Sequence, residues 1–212
     1  FMIKNSTIEG AFLDDMNPDN ITIIDCTILD SIGVWGISVA RSSSVVIVNN
    51  TFSGGLGGIC TYSGLEFDKC LISGNRIYNM VDHGLWAGGN NMTIADNTIV
   101  GCNMGTGILI RGPNDVVRGN NISNVRVGLD FQGGGHIIYE NNVVNTLCPL
   151  FNWGGGLVYH NNFVNYSSPL YDEIARIQEL SHDGEGNYWS SYIGEDMDFD
   201  GIGDTPFVDG VA

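Results

Sequence analysis

Positive charge is what this chain most conspicuously lacks: eight Lys and Arg stand against 24 Asp and Glu, a formal charge of −16. A surface so poor in cations repels phosphate backbones and anionic headgroups, which argues against nucleic-acid binding and attachment to membrane surfaces. Acidity of this degree suits a cation-rich exterior or bound calcium. Long apolar runs are missing too. No stretch approaches the roughly 18 residues that cross a bilayer as a helix, so membrane insertion is not expected. Cys26, Cys60, Cys70, Cys102 and Cys148 are an odd number without CxxC spacing, and read as small buried hydrophobes rather than a disulfide or zinc framework. The 30 glycines follow no three-residue period, which excludes collagen. With 43% hydrophobic and only 15% charged residues, the chain is not compositionally disordered.

What is present is a repeat. "VIVNNTFS" (45–52), "LISGNRIY" (71–78), "TIADNTIV" (93–100), "VVRGNNIS" (116–123), "IIYENNVV" (137–144) and "LVYHNNFV" (157–164) each place an asparagine inside a β-prone apolar run. Aligned, the series is Asn50, Asn75, Asn97, Asn120, Asn141 and Asn161, with Cys26 and Ser6 in register before it. Strands this short, with one coil every 20 to 25 residues, describe a parallel β-helix rather than a helical repeat. An inward asparagine at each corner can hydrogen-bond its counterpart on the next coil, and it tolerates left-handed backbone. The ladder is expected to stop at Cys26 and Ser6. A second phrase precedes each asparagine: "GIS" at 36, "GLEF" at 64, "GLWA" at 84, "GILI" at 107 and "GLDF" at 128. Glycine is read as the turn. Alternation then sends Ile37, Leu65, Phe67, Leu85, Ala87, Ile108, Ile110, Leu129 and Phe131 inward.

The expected fold is therefore all-β: a right-handed parallel β-helix of about eight coils over residues 1–166, followed by a cap over 167–212. Within the cap, Leu170, Ile174, Ile177 and Leu180 have helical spacing, which predicts a short amphipathic helix over 170–180, with Tyr188 and Trp189 packing as a lid. The chain opens inside the repeat, on "FMIKNSTIEG", so it is expected to be part of a longer multidomain chain. Sequons at Asn5, Asn20, Asn49, Asn91, Asn121 and Asn165 permit an exported protein.

This repeat resembles the parallel β-helix families of the NosD-like and carbohydrate-binding or sugar-hydrolase type. The tail "GNYWSSYIGEDMDFDGIGDTPF" (186–207) is similar to the closing segment of NosD-like repeat proteins of archaeal cell surfaces. Among these it looks most like the β-helix domains of archaeal disaggregatases. That resemblance implies an extracellular or cell-surface setting and a polysaccharide substrate.

Function in a solenoid sits on an outer face. Stacking the glycine-started strands puts Ser38, Glu66, Trp86, Leu109, Asp130 and Leu150 in one outward column. A second column takes Ala40, Asp68, Gly88, Arg111, Gln132 and Asn152, and Asp82 and His83 lie just before their strand. Trp86 is a candidate sugar platform, with Arg111 and Gln132 as further substrate-binding residues. Asp130, Glu66, Asp82, Asp68 and His83 are candidate acids and bases. Two carboxyls would make a glycoside hydrolase. Arg111 with a His83 base would instead make a polysaccharide lyase acting on uronates, and a third possibility is a non-catalytic glycan-binding or surface-layer module. A solvated face of surface ion pairs is the plain alternative to any site. Separately, Asp196, Asp198, Asp200, Ile202 and Asp204 follow calcium-loop spacing around Gly201, although Phe207 stands where the usual bidentate Glu belongs; structural Ca2+ is expected there. The four histidines and six methionines lack metal-ligand spacing, which argues against copper.

Overall fold

The computed structural model describes residues 1–9, 20–40, 44–62, 70–102, 104–152, 154–168, 170–171, 180–195 and 197. The first sheet stacks one short strand from each coil: β1 (Met2–Lys4), β3 (Ile21–Ile24), β5 (Val45–Val48), β7 (Leu71–Ser73), β10 (Thr93–Ala95), β13 (Val116–Arg118), β15 (His136–Tyr139) and β17 (Gly156–Tyr159). The second sheet takes β2 (Thr7–Glu9), β4 (Thr27–Ala40), β6 (Thr51–Tyr62), β8 (Arg76–Tyr78), β9 (Leu85–Ala87), β11 (Thr98–Val100), β12 (Thr106–Ile110), β14 (Asn121–Phe131), β16 (Asn142–Asn152), β18 (Asn162–Tyr166), β19 (Leu170–Tyr171) and β20 (Tyr188–Trp189). All strand pairs are parallel, giving a right-handed solenoid of about seven turns, close to the expected eight.

Three apolar columns fill the interior, because a residue in register with its counterpart one coil away must face the same way. Ile23, Ile47, Ile72, Ile94, Val117, Ile138 and Val158 form the first, all fully buried. Ile28, Phe52, Ile77, Ile99, Ile122, Val143, Phe163 and Trp189 form the second. Ile37, Ile59, Leu85, Ile108, Leu129 and Leu150 form the third. Each such side chain contributes roughly 1.5–3 kcal/mol by leaving water.

The asparagine ladder is present and fully bonded. Nδ2 of each rung donates to Oδ1 of the next at 2.9–3.0 Å, from Asn50 through Asn75, Asn97, Asn120 and Asn141 to Asn161. The backbone N–H of each rung reaches the same oxygen, and Nδ2 also bonds a carbonyl of the preceding coil, such as Ile94 above Asn120. The ladder ends at Cys26, whose N–H donates to Asn50 Oδ1. At the other end it runs one rung further than the sequence reading, onto Asn187. Left-handed backbone belongs to the residue before each rung: Asn49, Gly74, Asp96, Gly119, Glu140 and His160 all have φ between 53° and 65°.

The glycine column has a different cause from the turn expected of it. A Cβ on Gly58 would lie 2.6 Å from Gly84 O and 2.7 Å from Ile77 Cγ2, and one on Gly107 would lie 2.5 Å from Ile122 Cγ2. Here two coils and a core side chain meet too closely for any side chain. The second-coil glycine is Gly58, not Gly64, because Ile59 pairs with both Ile37 and Leu85. Leu65 and Phe67 lie outside the described residues.

The cap also differs. Leu170 and Tyr171 are strand, paired with Leu150 and Phe151, so the helix expected over 170–180 does not begin there; residues 172–179 lie outside the described set. Trp189 is a lid, with its ring 4.4 Å from Phe163. Tyr188 is 59% exposed and is not part of it. All five cysteines are buried, as their scatter suggested.

Candidate functional site

The outward column of the glycine-started strands is Ser38, Cys60, Trp86, Leu109, Asp130 and Phe151. Two assignments change. Cys60 holds the place given to Glu66, because β6 supplies that rung before residue 63 is reached. Phe151 holds the place given to Leu150, which pairs with inward Leu129; Pro149, not glycine, carries the corner position there, and its carbonyl meets Gly128. Asn152 accordingly pairs with Phe131 rather than with Gln132. Glu66 and Asp68 themselves lie outside the described residues, as do Asp196, Asp198, Asp200, Ile202 and Asp204 of the expected calcium loop. Among the described residues no group of three or more His, Cys, Asp or Glu side chains is placed to hold a metal ion.

This column is not the solvated surface of the plain reading. Cys60 is fully buried, Leu109 is 3% exposed and Ser38 9%, although all point away from the core. Around Trp86 the structure assembles an aromatic cluster. Trp35 lies over Gly57, where any Cβ would come within 2.4 Å of its ring. It stacks on His83 with centroids 6.3 Å apart and meets Trp86 edge-on at 6.1 Å. His83 meets Trp86 edge-on at 5.8 Å. The Arg111 guanidinium sits 4.7 Å over the Trp86 ring, one coil along. Trp86 is therefore a pedestal for a cation on that face, so an open sugar platform would have to use the other one.

His83 is tied at both nitrogens. The Thr106 backbone N–H donates to Nδ1 at 3.0 Å, which leaves the neutral ring's proton on Nε2, 3.5 Å from Asp82 Oδ1. Burial lowers its pKa, Asp82 opposes that, and Arg111 lowers it further. Asp82 in turn leans over Gly105, where a Cβ would meet Asp82 Oδ1 at 2.6 Å. A ring held this way orients its neighbours and has no free lone pair for taking a substrate proton.

Asp130 is different. Its Oδ1 is buried with no hydrogen-bond partner. Burial pushes the carboxyl up to about 6, while the Arg111 charge and a side-chain hydrogen bond from Gln132 hold it down. That value brings it closer to neutrality than an ordinary carboxyl, so part of its acid form persists there. Thus Asp130, Gln132, Arg111, Trp86, His83 and Asp82 share one face over three successive rungs of the sheet, about 10 Å along the axis. Trp35 joins them without having been foreseen. Its signal was there: it stands two residues before inward Ile37, in "GVWGIS", outside an alternation counted from the glycine.

The comparisons with known proteins bear on the fold. A family model described as "Right handed beta helix region" matches residues 14–80 and 35–171. Over 33 residues, 16% of this chain, the sequence is 58% identical to a probable ABC transporter binding protein NosD of Pseudomonas aeruginosa. That match spans 8% of the relative's length. No solved structure matches the chain significantly. With a stacked parallel register in hand and a family model spanning well over half of it, the chain belongs to the right-handed β-helix family.

Proposed function

We propose that this β-helix is a polysaccharide-degrading domain of the disaggregatase-like kind, hydrolysing anionic glycans of a cell envelope at the face that carries Asp130. The observation that supports this most is the sheltered Asp130 carboxyl, its value raised to about 6, beside an exposed guanidinium. A carboxyl raised to about 6 keeps part of its acid form near neutral pH and can protonate a glycosidic oxygen as its bond to the anomeric carbon breaks. Arg111, aimed outward from Trp86, suits the carboxylate of a uronate or another anionic sugar. Gln132 suits a hydroxyl. The second carboxylate of the reaction, which activates water or attacks the sugar, falls to Asp82, Glu66 or Asp68.

Elimination is the weaker reading, since it needs a base at His83, and both of that ring's nitrogens are engaged. The test is incubation with uronate-containing and amino-sugar-containing polysaccharides, following reducing ends and ultraviolet absorbance together. Hydrolysis gives reducing ends without new absorbance, and Asp130→Asn lowers their rate of release by roughly 100-fold or more. An ultraviolet-absorbing product would replace this reading with a lyase. Tight glycan binding without any product would leave a non-catalytic module.

A further inference from the structure

One core feature plays no part in the chemistry above. Asp115 and His136 are fully buried on adjacent coils, immediately before β13 and on β15, with Oδ2 and Nδ1 3.6 Å apart. Asp115 Oδ1 accepts the Met92 backbone N–H at 2.8 Å. The Asp115 N–H points at His136 Nδ1 at 3.4 Å, which places the neutral ring's proton on Nε2. That proton faces the Gln132 carbonyl at 3.3 Å. Gln132 is the residue whose side chain bonds Asp130. An unbroken chain of contacts therefore runs from the core to the outer face: Asp115, His136, Gln132, Asp130.

We propose that Asp115 and His136 are positioning residues for the outer site, anchoring the Gln132 backbone through His136 Nε2 and so holding the Gln132 side chain on Asp130. The inference rests on the reading of Asp130 as the working carboxyl, but its geometry does not depend on any substrate. Asp115 Oδ2 has no hydrogen-bond partner. A proton on it removes the cost of an unpartnered buried charge lying 3.6 Å from the Nδ1 lone pair. Burial, which raises the Asp115 carboxyl to about 7 and lowers His136, favours that neutral arrangement. Loss of the proton would turn the imidazole to its other tautomer and aim a lone pair at the Gln132 carbonyl. Among the described residues the pair also meets the Phe131 ring, edge-on at 5.7 Å, Gly133 beside Nε2, and Gly156 of β17, the glycines bringing no side chain. Arg111 is the charged group facing Asp130.

The test is carbon-13 and nitrogen-15 NMR of the intact domain across pH 5–9. In the wild type the Gln132 amide shift follows the Asp115 carboxyl through its titration; in Asp115→Asn, which mimics the protonated acid, that step disappears. In His136→Phe the Asp130 carboxyl titrates higher than in the wild type, in the direction produced by Gln132→Ala. A Gln132 amide that ignores the Asp115 titration overturns the proposal. An unmoved Asp130 in folded His136→Phe does so as well. If that variant does not fold, the wild-type and Asp115→Asn comparison decides alone. Neither readout uses turnover, so absent polysaccharide cleavage would refute the proposed reaction and leave this positioning to be judged separately.

Discussion

Two columns of polar groups run through the core, one leaving the strands of the first sheet and one entering them. Both use the same device, in which a backbone N–H of one coil donates to a side chain of the next. In the asparagine column every rung offers a donor and an acceptor, so the pattern passes from Asn50 to Asn187 with each amide satisfied. In the other column the Met92 N–H reaches Asp115, and the Asp115 N–H reaches His136. There the series stops at Gly156, and Asp115 Oδ2 is left without a partner. A self-complementary amide propagates indefinitely and ignores pH. A carboxylate facing an imidazole makes a short column whose integrity depends on one proton. The first is architecture, and the second sits where the fold can inform the outer face.

The sharpest break of that contrast is at mid-ladder. Asn120→Ala strands the donors of Asn97 and the carbonyl of Ile94 in the core and leaves a gap, for an expected loss of about 4 kcal/mol in urea unfolding, nearly independent of pH. Asn187→Ala, at the half-open end, is expected to cost only about 1–2 kcal/mol because water can reach the freed groups.

The second column separates by its pH dependence. Native Asp115–His136 holds one proton, on the carboxyl. The unfolded chain also holds one between the ordinary values of 3.8 and 6.5, there on the histidine, so the pair leaves stability flat over the part of that window in which the lowered His136 is neutral. In Asp115→Asn the native state holds none while the unfolded histidine still takes one. Stability of the variant should therefore fall relative to the wild type as pH drops below 6.5, read by urea unfolding at pH 7 and pH 5. Equal slopes for the two proteins would mean that His136 keeps its proton in the folded variant, so that burial does not lower it there.

The smallest expected effect lies outside the core. The raised carboxyl of Asp130 favours the folded state while it is neutral, and this advantage is lost as pH rises from 3.8 through about 6. Asp130→Asn should then gain stability over the wild type between those limits. After screening at a partly open site the gain is about 1 kcal/mol, measured by thermal unfolding at pH 4 and pH 7.

The asparagine spacing made the solenoid legible because a polar group can be buried at constant intervals only where successive coils satisfy one another. It failed where the interval stretched: Asn187 follows Asn161 by 26 residues, and "GNYW" replaces the aliphatic flank with aromatics. The glycine phrases gave the outer column correctly at Trp86, Leu109 and Asp130. They misled at Gly64, since Gly58 lies 17 residues before Asn75 and only pairing with Ile37 and Leu85 reveals it as the corner. That Arg111 neighbours Trp86 could be read from rungs. That it covers the indole, that Thr106 occupies His83 and that burial reaches Asp130 all depend on side-chain directions and desolvation, which spacing does not encode. Asp115 in "GPNDVV" carries no signal in the spacing, and only the stacking of His136 beside it shows the pair.

The proposed function turns on the outer face sheltering Asp130 enough to raise its carboxyl to about 6, so that part of its acid form persists near neutrality. Following its side-chain carboxyl carbon by NMR through a pH titration of the intact protein tests this directly. A sheltered carboxyl gives a midpoint near 6. A midpoint near the ordinary 3.8 would contradict it, leaving an open, ionised surface carboxylate with no proton to give at neutral pH.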